Sequence, residues 1–99
     1  VGTGFRVKDH PSIVGAIEFD ELSEFSRLLK RSDSFFLHRI SNLFDDQQFS
    51  LAEVDQALGH LLPLLTQAMP DAERALLHKL IAVLAFAQRQ QLPLFGVAD

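Results

Sequence analysis

Hydrophobic and polar positions divide the chain into two short strand-like segments at its start and several stretches with helical spacing after them. Gly4 to Lys8 alternates apolar and basic residues, and residues 13–18 are rich in β-branched side chains. Both patterns are typical of strands. Because residues 9–12 between them are turn-like, we predict a β-hairpin. Two strands alone are marginally stable in water, so helices or a third strand must cover one face.

Helical spacing begins at residue 20. Asp20 is expected to cap a first helix, whose apolar positions recur as far as Leu29. Residues 35–44 fit either a short helix, which we favour, or a buried irregular loop. Residues 45–48 are predicted to form an exposed polar loop.

The next helix has a clear start signal. Ser50 and Glu53 have the spacing of a capping box, in which each side chain accepts a hydrogen bond from the other residue's backbone amide. Pro63 then interrupts the helical pattern, because its ring would crowd the carbonyl of Gly59 and it has no amide to donate. We therefore predict a kink near these residues or two shorter helices.

The longest helical pattern covers residues 71–91 and has two unlike faces. At about 100° per residue, one side is a wide apolar arc; it contains Leu76, Leu77, Leu80, Ile81, Val83, Leu84 and Ala87. The other side mixes polar with apolar residues: His78, Lys79 and Arg89 with Ala75, Ala82, Ala85 and Phe86. A solvent-facing helix would not place a phenylalanine and three alanines there. Either a second element packs on that side or Phe86 lies in a partner interface.

These elements predict an α+β fold, in which a small antiparallel hairpin or sheet packs on three to four helices. A last short strand is predicted at residues 94–97, after Pro93 ends the long helix. The alternative is an all-α bundle, in which the strand candidates are irregular. Ninety-nine residues fit one domain spanning 1–99. Residues 1–4 are expected to contribute little, as a disordered or foreign terminus.

Composition and charge exclude several classes of function. The chain has no cysteine, which rules out disulfides and thiolate chemistry and fits a reducing cytoplasm. A formal charge of −4 argues against non-specific binding to nucleic acid or anionic membranes. No apolar run approaches the ~20 residues that span a bilayer, and the start of the chain lacks the apolar stretch of a secretory signal. We expect a cytoplasmic protein.

Catalytic and metal chemistry find no support in the residue spacing. The histidines are His10, His38, His60 and His78, and none has a histidine one helical turn away with which to share a metal. Calcium-loop spacing fails whether it is counted from Asp45 or from Asp46. Neither a nucleophilic serine turn nor a phosphate-binding loop is present. We therefore expect no enzyme activity, catalytic residue, metal site or cofactor.

Carboxylates gather before and within the helix that begins near Ser50. They are Asp45, Asp46, Glu53 and Asp55. One explanation is that the positive end of a helix dipole favours anions. The other is an acidic patch that binds a cationic partner.

The segment Phe36 to Phe49, the helix pair after it, and the ending Leu94 to Asp99 resemble a family of small bacterial proteins. In that family a leucine-rich stretch with an Arg-Ile core precedes a Pro-Tyr-Gly-Asp-type loop, two helices follow, and the chain ends near Phe-x-Gly-Asp. Here the loop lacks the Pro and Gly, and Val97-Ala98 separates the final Gly from Asp. Some members are similar to immunity proteins encoded beside secreted toxins.

The resemblance implies a stoichiometric binder rather than a catalyst, whose acidic residues Asp45, Asp46, Glu53 and Asp55 dock a basic toxin domain. The rival interpretation is a structural or regulatory homodimer. In that case Ala75, Ala82 and Phe86 on the long helix form the self-association surface.

Overall fold

The computed structural model describes residues 3–7, 15–32, 34–41 and 46–98, and the statements below concern these residues. The order along the chain is two strands, two α-helices, one strand, two α-helices and a last strand, with 3-10 helices at Phe19–Glu21 and Leu62–Thr66. Their bounds are β1 Thr3–Val7, β2 Gly15–Ile17, α1 Leu22–Arg31, α2 Phe35–Ile40, β3 Gln47–Phe49, α3 Leu51–Leu61, α4 Asp71–Gln90 and β4 Leu94–Ala98.

The four strands form one antiparallel sheet in the order β2-β1-β4-β3, which confirms the predicted α+β class. β1 and β2 form the predicted hairpin, whose connecting residues lie outside the described part of the chain. β4, the predicted last strand, pairs along β1 from Thr3↔Ala98 to Val7↔Leu94. The first residues therefore take part in the sheet, because Thr3 and Gly4 belong to β1. Val1 and Gly2 lie outside the described residues.

β3 corrects the prediction of a polar loop over residues 45–48. Gln47 and Gln48 begin a three-residue strand that pairs with β4, and Phe49 completes it as a fully buried side chain. Glutamine has little intrinsic preference for strands, so the local pattern could not indicate one. The strand exists because the edge of β4 offers it unpaired backbone groups. Asp45 lies outside the described residues.

Only one face of the sheet is covered by helices. Side chains alternate between the two faces, and the inner face carries five buried apolar residues: Phe5, Val7, Ile17, Phe49 and Leu94. The outer face carries Arg6 and Gln48, which are exposed, and Phe95 and Val97, which are half-buried. The helical layer therefore lies against the inner face, as expected for an antiparallel sheet with one solvated side.

The first helix begins differently from the prediction. Asp20 is not its cap but an exposed residue in the 3-10 helix that leads into α1. Glu21 supplies the carboxylate that accepts a hydrogen bond from a free amide, that of Glu18, at 3.0 Å. α2 confirms the favoured short helix at Phe35–Ile40 and buries Phe36, Leu37 and Ile40, whereas residues 42–45 lie outside the described residues.

α3 carries the predicted capping box. The Glu53 amide donates to Ser50 Oγ at 3.2 Å, and the Ser50 amide donates to Glu53 Oε1 at 3.0 Å. The predicted interruption by Pro63 is also present. The α-helix ends at Leu61, and Pro63 lies in the first turn of a 3-10 helix that continues to Thr66.

α4 buries the predicted arc. Six of its seven members are buried, and Ile81 is half-buried against the core. The helix ends at Gln90 and is capped by Gln91, whose left-handed backbone (φ 57°) allows the Leu92 amide to donate to the Ala87 carbonyl. This left-handed end satisfies carbonyls that the last turn would otherwise leave unpaired.

The first turn of α4 also buries a carboxylate. Glu73 is fully buried and accepts a hydrogen bond from Arg31 Nε at the end of α1. Its other oxygen, Oε1, has no hydrogen-bond partner among the described residues, and neither has the buried hydroxyl of Ser34. Because a buried carboxylate is costly without a counter-charge, Arg31 must stay in place for α1 and α4 to pack.

Replacement by alanine should have opposite effects on stability at two of the glycines. A Cβ added at Gly15 would lie 2.5 Å from Val83 Cγ2, whereas a Cβ at Gly59 would meet nothing within 4 Å. Gly15→Ala should therefore destabilise the protein by about 1–3 kcal/mol through overpacking. Gly59→Ala should stabilise it by about 0.5–1 kcal/mol through helix propensity.

Urea unfolding measures both changes. The double variant Gly15→Ala/Val83→Ala should lose less stability than the sum of the losses in the two single variants. The reason is that removing the Val83 methyls makes room for the new Cβ. Additive costs would show that β2 and α4 do not approach each other so closely.

The buried ion pair predicts an asymmetry between single and double substitutions. Arg31→Met should destabilise by about 2–3 kcal/mol, because it leaves the Glu73 carboxylate buried and uncompensated while Arg31 itself is partly exposed. Arg31→Met/Glu73→Met should be more stable than Arg31→Met alone. Chemical denaturation of the two variants decides the point, and a double variant less stable than the single one would contradict it.

Candidate functional site

The predicted acidic residues do not converge on one point. Asp46 is exposed immediately before β3, Glu53 is half-buried in the first turn of α3, and Asp55 is exposed further along that helix. Asp45 lies outside the described residues. Since residues two apart on a helix point about 200° apart, Glu53 and Asp55 face different neighbours.

Both oxygens of Glu53 have partners within the protein. Oε1 accepts the Ser50 amide, and Oε2 accepts Arg39 Nη1 at 2.5 Å. The Ser50 amide is the largest cause that lowers the pKa of Glu53 below the ordinary value of 4.5; partial burial opposes it, and the Arg39 charge adds to it. Glu53 is therefore ionised and held in place, so its main role is to fix the start of α3.

Asp55 faces the opposite side of α3. Its Oδ1 accepts a hydrogen bond from Gln88 Nε2 of α4 at 2.8 Å. This contact bridges the exposed side of the α3–α4 pair. The carboxylate remains exposed to solvent, and a partner could reach it.

Arg39 is the residue that the sequence analysis missed. Besides Glu53, its guanidinium donates to Gln47 Oε1 at 3.2 Å and to the Gln48 carbonyl at 2.6 Å. It also lies 4.3 Å from the ring centroid of Phe49, within the range of a cation–π contact. One side chain of α2 thus ties together β3 and α3. The available signal was an arginine between apolar positions of a short helix.

Three more cations are also engaged internally. Lys79 Nζ donates to both oxygens of Glu21, at 2.6 and 2.8 Å, and to the Ala16 carbonyl at 3.0 Å. Arg74 donates to the carbonyls of Leu65 and Gln67 at 2.9 and 2.5 Å. Arg31 is the third, through the pair described above.

The Lys79 contact affects the titration of Glu21. Burial tends to raise the pKa of Glu21, but hydrogen bonds from Lys79 and from the Glu18 amide, with the Lys79 charge, outweigh it and leave the pKa lowered. Glu21 is therefore ionised at neutral pH. Lys79 joins α4 to the 3-10 helix through Glu21 and to β2 through the Ala16 carbonyl.

Cations are absent from one long part of the sequence. Residues 40–73 contain no lysine or arginine but six carboxylates: Asp45, Asp46, Glu53, Asp55, Asp71 and Glu73. In the described part of this segment, Arg39 and Arg31 reach in and pair with Glu53 and Glu73. Asp46, Asp55 and Asp71 are exposed. The exposed residues that this segment contributes to the described surface therefore carry only negative formal charges.

The candidate self-association residues lie on the outward side of α4. Ala75 and Ala82 are exposed, and Phe86 is half-buried against the edge of the core. A hollow of about 280 Å³ is lined by Ala82, Ala85, Phe86 and Arg89. Packing against the core accounts for the buried part of the Phe86 ring, whereas no described residue covers the two alanines.

A second hollow of about 280 Å³ opens at the sheet. Its lining comes from the neighbouring strands β1, β4 and β3 and includes Arg6, Asp46 and Phe95. Arg6 and Phe95 are directly opposed in the β1–β4 register. Sequence reasoning could not find this hollow, because its residues are brought together only by strand pairing.

Metal ligands do not cluster in the described part of the chain. No group of three His, Asp or Glu side chains there could hold an ion. His38, His60 and His78 are exposed, and the His60 ring makes an edge contact with the Phe35 ring, with 5.8 Å between the ring centroids. His10 lies outside the described residues. Among the same residues, no helix combines the length and the apolar character needed to cross a membrane.

The lowered pKa of Glu53 predicts an acid-sensitive contribution to stability. A carboxylate whose pKa is lower in the folded protein stabilises it above the unfolded value of about 4.5, and this contribution is lost as the pH falls through the folded value. Glu53→Gln should therefore be less stable at pH 7 and should show a shallower loss of stability below pH ~4.5. Urea titrations at stepped pH measure the slope, and equal slopes would contradict the assignment.

No protein-family model, curated protein or solved structure matches this chain.

Proposed function

We propose that this chain is a non-catalytic protein-binding domain that captures a basic protein partner in a stoichiometric complex. The observation that carries the proposal is the acidic side around α3. Residues 40–73 supply no cation, and the carboxylates of Asp46, just before β3, and Asp55, on α3, are exposed there.

The internal ion pairs support this assignment. Arg31, Arg39, Arg74 and Lys79 each donate to carboxylates or carbonyls of the protein itself. Their charges are held close to those partners, whereas the carboxylates of Asp46 and Asp55 are exposed to solvent. An acidic face of this kind attracts a positively charged partner and increases the rate of encounter.

The resemblance to small bacterial immunity-like proteins suggests the kind of partner. An immunity protein blocks a secreted toxin by covering its active site, which requires a stable folded surface and no chemistry of its own. The proposed contact residues are Asp46 and Asp55, with Asp45 included from the sequence alone, and Glu53 fixes the start of α3 through Ser50 and Arg39. A basic toxin domain encoded beside the gene of this chain is the expected partner.

Charge reversal tests the surface. Asp46→Lys/Asp55→Lys should slow association with the purified neighbouring toxin domain by roughly tenfold or more at low salt, and should reduce the dependence of the rate on salt. Stopped-flow mixing over a salt series measures both. Asp20→Lys is the matched control, since it reverses an exposed carboxylate in the 3-10 helix before α1 and should have a smaller effect.

Two results would overturn the proposal. One is the absence of a one-to-one complex with the neighbouring gene product. The other is an association rate that the double reversal leaves unchanged.

A further inference from the structure

The outward side of α4 carries a regular stripe that the fold does not use. Successive members are separated by four, three, four, three and four residues, the spacing of a coiled-coil seam. All six are exposed: Asp71, Ala75, His78, Ala82, Ala85 and Arg89. The stripe runs almost straight along the helix for about 28 Å.

Small side chains make this stripe accessible to another helix. Ala75, Ala82 and Ala85 project little from the helix surface, and Ala82 and Ala85 border the hollow beside Phe86. A second helix could approach with its axis about 8 Å away, the lower end of the usual range.

The charges at the two ends of the stripe favour a second copy of the chain, packed antiparallel, as the binding partner. Asp71 and Arg89 each lie nine residues from Leu80, on opposite sides of it. If a second copy packs antiparallel about a two-fold axis that crosses the stripe at the level of Leu80, Asp71 of each copy faces Arg89 of the other. A parallel arrangement would instead place like charges opposite each other at both ends, which is unfavourable.

The small residues match in the same register. Ala75 of one copy then faces Ala85 of the other, and His78 faces Ala82. Every layer contains at least one small residue or an opposite-charge pair, and none opposes two bulky side chains. Antiparallel coiled coils pair their two seam positions across the interface in this manner.

We propose that this chain forms an antiparallel homodimer through the α4 stripe, with Asp71–Arg89 pairs at both ends of the interface. The dimer is separate from the acidic surface around α3 and does not depend on the proposed binding function. Two helical strips, each about 28 Å long and about 10–12 Å wide, bury on the order of 600 Å² in total. Because stable interfaces usually bury more than 1,200 Å², the dimer is weak and dissociates on dilution.

Sedimentation velocity over a concentration series from micromolar to near millimolar tests association. The parent protein should shift from monomer to dimer, and Ala82→Glu should remain a monomer because it places two carboxylates near the centre of the seam. Ala52→Glu is the matched control, since Ala52 is exposed on α3 and lies off the stripe. It should dimerise as the parent does. A parent that is monomeric at all concentrations overturns the proposal.

Single cysteines test the orientation, because the chain has no cysteine of its own. Mixing Ala75→Cys with Ala85→Cys under mild oxidation should give the mixed disulfide dimer at least tenfold faster than either variant alone. A rapid disulfide in Ala75→Cys alone would show a parallel arrangement and overturn the proposed register. Equal, slow cross-linking in all three samples would overturn the interface itself.

The end charges provide a further check. Arg89→Asp should weaken the dimer because it places two acidic side chains together at each end. Adding Asp71→Arg should restore dimerisation. Circular dichroism confirms that each variant keeps its helices, so that loss of association is not mistaken for unfolding. A double reversal that fails to recover while folded would overturn the pairing of Asp71 with Arg89.

Discussion

Burial of the apolar side of α4 is the constraint on which the rest of the structure depends. A helix with so many large apolar residues on one side must be surrounded, and α1, α3 and the sheet do this. Each fully buried leucine of that arc contributes roughly 1.5–3 kcal/mol. The position of β2 follows from the same packing, since only glycine at position 15 fits against Val83 without a rearrangement.

Polar contacts then fix the order of the elements around that helix. Arg31 and Lys79 join α4 to α1 and to the hairpin, and Arg39 joins α2 to β3 and α3. Exposed ion pairs contribute little, but these are partly buried and accept or donate further hydrogen bonds. Their main effect is specificity of arrangement, because each cation has partners from elements that are distant in sequence. Arg39 in particular positions the short edge strand, which has few contacts of its own.

The internal contacts of these lysine and arginine side chains also affect the charge of the surface. Arg31, Arg39, Arg74 and Lys79 contact partners within the protein, whereas the carboxylates of Asp46 and Asp55 are exposed to solvent. These carboxylates lie around α3, whereas the alanine stripe lies on the outward side of α4. The two surfaces differ in chemistry, one charged and one small and apolar with charged ends. A partner of opposite charge and a second copy of the chain could therefore bind without competing for the same residues.

Local sequence determined most of the elements. Helical spacing and the capping box placed α3 and α4, alternation placed β1, β-branching placed β2, and the end of the long helix at Pro93 placed β4. These signals act over a few residues. The two faces of α4 were also evident, since angle along a helix follows directly from residue number.

Tertiary structure alone decided β3, the partners of Arg39 and the burial of Glu73. Arg31 and Glu73 are 42 residues apart, and Lys79 and Glu21 are 58 apart. No local pattern indicates which charges meet at such separations, because the meeting depends on how the helices pack. From sequence position alone, Glu53 and Asp55 likewise belong to one acidic group. Only the packing of α3 between Arg39 and Gln88 assigned the first to an internal contact and left the second exposed at the surface.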